Sequence, residues 1–594
     1  TKKNVYIAKN RKSYLSFYLQ IDFILKNYFY LALFALIVSC TSKGHEESKT
    51  AVPTAINPTL DFQPNILWLV AEDISPYLPM FGDSTIATPN LSWLATEGVC
   101  YDNVFSPAPV CAPARAAIAT GIYPTRMGAN HMRTGPWYIS DLPPEILERV
   151  KKYLPEGLIP YETQPSPAVK MMSEYLRMEG YYCTNNFKED YQFIKPVTAW
   201  DESSKTAHWR NRKGDRPFFS VFNFEVTHES RIWAKAKDSL WVDDNLEVSI
   251  PPYLPDTDLV KKDVRRLYSN IKEMDAQVGE ILQQLKDDGL LEKTIIVWYS
   301  DHGGPLPRQK RLLYDSGLKV PMIIRFPNQQ FAGQRDDQLI SFIDFAPTTL
   351  SLAGIEPDNH FDGTAFLGPF AREKASPYIF AATDRFDATT DQNRAVRDRR
   401  FKYIKYHYPE KSRFVYSKYR DQMATMQELY RLQKEGNLTP TQALWFRQAK
   451  PAEELFDTQN DPHEINNLAD DPAYEQKLVE LRQAYDEWSK DVPDLNRQPE
   501  PELIEQFWPN QQQPVTEAPQ VVMENGKMTI QCPTEGASIG YQLVDGEDAA
   551  TKHDWQVYQN PVSPQAGKTL VVVAHRIGFL PSGNQRIVTD EMLN

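Results

Sequence analysis

Residues 64–73 read Pro-Asn-Ile-Leu-Trp-Leu-Val-Ala-Glu-Asp, an unbroken apolar run that ends in two carboxylates. A strand with one solvated face alternates apolar and polar residues, whereas a strand covered on both faces does not. This run therefore predicts a strand inside a parallel sheet. Glu72 and Asp73 then stand at its C-terminal end, the edge where open α/β sheets gather their ligands. A second stretch has the same plan: Thr294-Ile-Ile-Val-Trp-Tyr-Ser-Asp301-His302-Gly303-Gly304. A third, Pro217-Phe-Phe-Ser-Val-Phe-Asn-Phe-Glu225, delivers Val226-Thr227-His228-Glu229. With a helical pattern from Val264 to Leu291, a strand from Val320 to Phe326 and a helix over Thr348 to Ala353, the region from 64 to about 370 predicts an α/β fold. Its expected form is a parallel sheet flanked by helices.

Between the first two strands lies Cys111-Ala112-Pro113-Ala114-Arg115, followed by Thr120-Gly121. Pro113 near the first helical position and the alanines at 116, 117 and 119 predict a helix that starts at the cysteine. Its free amides and dipole would face an anion. The pentapeptide resembles the Cys/Ser-x-Pro-x-Arg signature of type I sulfatases, of the alkaline-phosphatase-like fold. That resemblance implies sulfate-ester hydrolysis and oxidation of Cys111 to formylglycine by a maturation enzyme. The hydrated aldehyde supplies one hydroxyl to attack sulfur and a second to expel the sulfate.

Neighbouring text is similar to the same family. Thr88-Pro89-Asn90-Leu91 through Val99 follows its TPNLDxLAxxGV stretch, and Gly180 to Asp190 its GYxTxxxGKWH region. The resemblance implies that Glu72, Asp73, Asp301 and His302, together with Cys111, hold calcium, a cation that prefers hard oxygen donors. Glu72 replaces the commoner aspartate, and the imidazole of His302 suits softer metals better. Arg115 and Lys188 are implied as sulfate-binding cations. Lys310, which fits the family's K-x-x-x-Y-[E/D], would neutralise sulfate oxygens. His228 would protonate the leaving alcohol, with a side chain that titrates near neutrality. Asp190 stands where the family has histidine: either it acts as a carboxylate base, or another group does and Asp190 orients the site.

The likeness covers about residues 64–330, continues more weakly to about 490, and lies near the heparan N-sulfatases and bacterial polysaccharide sulfatases. The implied partner is a sulfated carbohydrate, such as ulvan, carrageenan or a glycosaminoglycan. Two alternatives are a phosphoester or phosphonate hydrolase of the same superfamily and a glycan-binding surface lipoprotein with a decayed site.

The chain has 594 residues, with 78 acidic and 65 basic side chains and a net charge of −13. Its length predicts several domains, and its acidity argues against a nucleic-acid binder, which needs a broad basic surface. A pocket for an anion must then be a local concentration of cations. The expected parts are a signal peptide at 1–40, a tether at 41–62, a catalytic α/β domain at 63–374, an α+β subdomain at 375–495, a Pro- and Gln-rich linker at 496–519, and a small β-sandwich at 520–594. The last is loosely similar to the C-terminal β module of some β-hexosaminidases. The basic residues Lys2, Lys3, Arg11, Lys12 and Lys26 precede an apolar run ending in Ile37-Val38-Ser39-Cys40, which looks like a bacterial lipobox. It predicts export, and a lipid anchor on Cys40 facing the periplasm or the cell surface. Within the small subdomain, Asp384, Arg385, Asp387, Arg394 and Arg397 are expected to contact sugar or carboxylate groups.

Overall fold

The computed structural model describes residues 56–132, 134, 158–387, 389–546, 550–551 and 553–589. The signal peptide, most of the tether and Cys40 lie outside the described residues. The opening run of the sequence forms β1 (Asn65–Ala71), all seven residues of which are buried. In chain order there follow α1 (Pro89–Glu97), β2 (Val99–Phe105), α2 (Cys111–Thr120), β3 (Tyr182–Asn186), β4 (Glu202–Ser203), β5 (Phe218–Phe224), α3 (Ser230–Ala234), α4 (Asp258–Asp287), β6 (Thr294–Ser300), β7 (Lys319–Arg325), β8 (Arg335–Asp336), β9 (Ile340–Ser341) and α5 (Phe345–Leu352).

The nine strands make one sheet in the order β4-β3-β5-β1-β6-β7-β2-β8, with β9 also on β2. β1 is central and parallel to both neighbours, β5 and β6. The expected parallel sheet flanked by helices is present, with one strand reversed: β7 runs antiparallel to both β6 and β2. A parallel return needs a crossover, usually a helix. The connection from β6 to β7 instead holds only a helical turn, Asp315–Leu318, and folds back over the strand ends. The long helix α4 covers one face with Val260, Val264, Leu267, Ile271, Met274, Val278, Leu282 and Leu285. This i, i+3/i+4 spacing makes an apolar stripe over the sheet.

The smaller antiparallel sheet comprises β10 (Ile379–Thr383), β11 (Asn393–Arg397), β12 (Phe401–Tyr406) and β13 (Glu453–Asp457). Helix α6 (Glu475–Asp491) closes it with Leu478, Leu481, Tyr485 and Trp488 packed on Val396, Tyr403 and Leu455. Trp488 stacks on Phe380 and meets Tyr123 edge-on at 5.3 Å, tying this subdomain to the main one.

Residues 496–519 were expected as a linker, and here the structure differs. They contain α7 (Glu500–Phe507), whose Leu503, Ile504 and Phe507 are buried against Tyr161. The apolar spacing of these three, just after Pro499, is a helical signal that the surrounding prolines and glutamines masked. Gly128, at φ +70°, has no room for a side chain because the Phe507 ring lies 2.7 Å from where a Cβ would stand.

Past α7 come a hairpin, β14 (Gln520–Glu524) with β15 (Lys527–Gln531), and a four-stranded sheet of β16 (Ser538–Asp545), β17 (Gln556–Val557), β18 (Lys568–His575) and β19 (Gln585–Val588). Met528, Ile530, Leu570 and Val572 form the core between them. This module is seated on the catalytic domain. Lys170 Nζ donates to Ser538 Oγ at 3.1 Å, and Gly578 and Gly536 lie against the backbone of Thr163 and Pro167. All described residues from Asn57 onward belong to one compact unit.

Candidate active site

The C-terminal ends of β1, β3, β5 and β6, the start of α2 and the loop between β6 and β7 bring their side chains to one buried point. Helix α2 begins at Cys111, after extended Val110, and all of its residues are buried. The thiol Sγ lies 3.3 Å from His302 Nε2 and 3.4 Å from Lys310 Nζ. One turn further in, Arg115 Nε donates to Asp301 Oδ2 at 3.1 Å, and Nη1 to Asn223 Oδ1 at 2.7 Å. Its Nη2 reaches Glu72 Oε1 at 3.4 Å, and Lys188 Nζ meets the same oxygen at 2.6 Å.

Asp73 holds a left-handed backbone, φ +53°, a region that aspartate enters more readily than most residues. That turn sends its amide to Asp301 Oδ1 at 3.1 Å. Its carboxylate receives Lys310 Nζ at 2.9 and 3.0 Å and the amide of Glu229 at 2.6 Å. Gly303 is needed where it stands, because a Cβ there would lie 2.4 Å from the carbonyl oxygen of Ser316. This contact packs the Asp301-His302 strand end against the loop that carries Lys310.

The charges are tightly coupled. Burial opposes ionisation of Asp73, yet Lys310, His302 and His228 hold its carboxyl well below the usual range. Burial also opposes a charge on His302, but Asp301 and Asp73 push it up to about 10. His228 goes the other way: burial and then Lys310 push it down to about 4. Its Nδ1 lies 2.8 Å from Ser230 Oγ, and its Nε2 3.5 Å from Lys310 Nζ. Burial opposes the charges on Arg115 and Lys188, and the surrounding acids, Asp190 among them, raise both instead.

The residues fit a divalent cation. Asp73, Cys111 and His302 bring ligand atoms within 4.8 Å of one another. Glu72 Oε2 is buried without a hydrogen-bond partner. A carboxylate oxygen shut away from water without a donor is costly, and a coordinated cation removes that cost. Glu72, Asp73 and Asp301 give hard oxygen donors, with His302 the one nitrogen.

The structure thus brings together Glu72, Asp73, Cys111, Arg115, Lys188, Asp190, His228, Asp301, His302 and Lys310. Asp384, Arg385, Arg394 and Arg397, expected as sugar contacts, lie apart from this point, each paired inside the fold. Arg385 is fully buried and its Nη2 donates to Glu500 Oε1 at 2.7 Å. Arg394 is closed between Asp384 and Asp494 at 3.0 and 2.8 Å. Arg397 pairs with Asp315 at 2.9 Å. These guanidiniums are satisfied inside the fold. Asp387 faces inward too, on Arg311 Nε at 3.3 Å.

Sequence reasoning missed Asn223, Glu229 and Arg311. Asn223 was visible as the one amide within an apolar strand. Glu229 accepts both Nη atoms of Arg311, at 2.9 and 2.7 Å, and lies 3.6 Å from Lys310 Nζ, so the pair fixes the loop that carries Lys310.

Residues 64–355 match the family model described as Sulfatase, and residues 308–444 the one described as N-sulphoglucosamine sulphohydrolase, C-terminal. The chain is 50% identical to an ulvan-active sulfatase of Formosa agariphila, over 94% of this chain and 97% of that protein. It is 25% identical to human N-sulphoglucosamine sulphohydrolase, over 72% and 90%. Among solved structures, BT4656 in complex with its substrate D-glucosamine-2-N,6-O-disulfate shares the fold. That match has a TM-score of 0.52 and 17% identity, and covers 73% of this chain and 99% of that one.

Proposed function

The chain belongs to the sulfatase family and is a sulfuric ester hydrolase; from that premise we propose that it removes sulfate esters from ulvan or its oligosaccharides, through Cys111 matured to formylglycine and with calcium in the adjoining carboxylate cluster. The observation that carries the reaction is the convergence on one buried thiol of a helix N-terminus, Lys310 and His302. The polymer is suggested by the 50% identical ulvan-active relative.

Glu72, Asp73, Asp301 and His302 would hold the calcium, which supplies positive charge beside the transferring sulfuryl group. The matured Cys111 supplies a hydroxyl nucleophile in place of a thiol. Arg115, Lys188 and Lys310 bind the sulfate oxygens and stabilise charge as it grows in the transition state, usually the largest single catalytic contribution. Because Asp301, Asn223 and Glu72 hold the Arg115 fork in place, the cation is oriented before substrate arrives. His228 gives its proton to the leaving sugar oxygen. Burial and then Lys310 keep that imidazole neutral at rest, and a bound anion next to Lys310 offsets the second of these and favours proton uptake by His228. Asp190 balances Arg115 and Lys188 from the side, a positioning role. Export, lipidation at Cys40 and a site at the cell surface or in the periplasm suit a polymer too large to enter a cell. Among the described residues no helix is long and apolar enough to cross a membrane.

The test is sulfate release from ulvan, carrageenan and heparan oligosaccharides with calcium, beside matched sulfate and phosphate monoesters. Ulvan is expected to be cleaved fastest, and sulfate esters ahead of phosphate. Faster phosphate release would reassign the reaction; faster release from another polymer would reassign the substrate.

A further inference from the structure

Next to the reaction centre lies an open polar cleft of about 450 Å³, whose walls include Phe187, Lys188, Lys205, Glu225, Arg231 and Lys235. It shares two walls with the site just described: Lys188, and Asn223, the acceptor of Arg115. Its volume falls in the range of small-molecule binding pockets. Four cations line it in a protein of net charge −13. Two are already engaged, Lys188 on Glu72 and Lys235 on Glu273. Arg231 and Lys205 form no ion pair among the described residues. Arg231 donates its Nε to the Glu225 carbonyl at 3.4 Å, which aims the guanidinium without neutralising it. Against these two stands one other carboxylate, Glu225.

Phe187, 40% exposed at the end of β3, gives the cleft an aromatic surface, and Lys205 Nζ lies over its ring 5.0 Å from the centroid. A ring face beside cations suits a sugar that carries an anionic group. The scissile sulfate already has Arg115, Lys188 and Lys310. Resting on the sulfatase reading above, we propose that this cleft is a subsite for the sugar next to the sulfated one, with Phe187 packing on its ring and Arg231 and Lys205 reading a second anionic group on it. A uronate carboxylate and a second sulfate present the same chemistry to these cations. The cleft therefore sets which sulfated chains are accepted, while the chemistry stays with the buried cluster.

Binding measured by calorimetry in the Cys111→Ala protein with calcium separates this subsite from turnover. Three ligands are compared: a native ulvan oligosaccharide, the same chain with its carboxylates reduced to alcohols, and one keeping only a single sulfate. Adding Arg231→Gln should weaken binding of the native chain about ten-fold, the size of a charge-assisted hydrogen bond. Lys205→Met should act in the same direction. Removing the recognised group from the sugar should cost the same ten-fold, and the two losses should not multiply. Non-additivity with the reduced chain assigns a carboxylate; with the single-sulfate chain, a sulfate. Multiplying losses, or unchanged binding in both variants with melting temperatures as in the parent, would overturn the subsite. Absence of sulfate release by the matured parent enzyme, with Cys111 intact, would overturn the reaction reading instead and leave this binding result standing.

Discussion

The reaction centre and the cluster around Arg385 and Arg394 are built from the same side chains, buried arginines among carboxylates, yet they do opposite work. In the second cluster the account closes. Arg394 lies between Asp384 and Asp494, and Arg385 is held by Glu500 and by the carbonyls of Met132 and Asp387. Those pairs tie β10, β11 and α7 together. In the reaction centre the account stays open. Glu72 Oε2 has no partner, three ligand atoms crowd within 4.8 Å, and the cations converge on a thiol. Burial and charge are common to both clusters; unmet coordination around a nucleophile belongs to one.

One substitution made in both clusters sharpens this contrast most. Arg394→Gln should cost about 3–5 kcal/mol of stability, because it leaves two buried carboxylates without their cation. Its kcat should stay near wild type once folded. Arg115→Gln should lower kcat about 10³-fold, as when a preorganised transition-state donor is removed. Urea unfolding and sulfate release, measured on both variants, decide it. An inactive but fully stable Arg394→Gln would place that cluster at the substrate after all.

A smaller effect separates proton donation from charge stabilisation within the site. His228→Gln should slow release from sugar sulfates about 10²-fold. It should slow a nitrophenyl sulfate much less, since that leaving group needs no proton. Equal losses on both substrates would remove His228 from the role of acid.

Glu162 is a third kind of buried acid, one with no cation partner among the described residues. It accepts from the amide of Ile194 at 2.7 Å and from Gln513 Nε2 at 2.9 Å, where the catalytic domain meets the chain leading to the β module. Burial raises its pKa from 4.5 to about 7. Between those values the folded chain keeps a proton that the unfolded chain has lost. Its contribution to stability is therefore full below about pH 4.5, falls as pH rises to about 7, and is flat above. The expected loss is about 3 kcal/mol, removed in Glu162→Gln. Parallel stability–pH curves for the two proteins would contradict it.

The metal proposal predicts a stability shift read without turnover. Calcium at a hundred times its dissociation constant should stabilise the chain by about 2.7 kcal/mol, and Asp73→Asn should blunt that response. A melting temperature indifferent to calcium and to chelator would argue against a bound ion.

How much was legible in the sequence follows the same division. The central strands were readable because continuous apolar runs have few other uses, and the candidate residues Glu72, Asp73, Asp301 and His302 because they follow directly on those runs. Antiparallel β7 was not readable, since strand direction depends on a connection whose packing is tertiary. Helix α7 was hidden by the prolines and glutamines around it. The partners of Arg385, Arg394 and Arg397 were hidden for a related reason: a run of charges looks the same whether it meets a ligand or, as here, Glu500, Asp494 and Asp315 from distant parts of the chain. Glu229 and Arg311 lacked any sequence signal strong enough to assign them, because their role is to hold other residues in place; Asn223 had one, a lone amide in an apolar strand.

The most direct test of the central claim is free sulfate released from ulvan oligosaccharides by protein whose Cys111 peptide has been weighed by mass spectrometry. Release that scales with the formylglycine fraction, and disappears in Cys111→Ala, is the result predicted. Release that persists in Cys111→Ala, or none from fully matured enzyme with calcium, would contradict it.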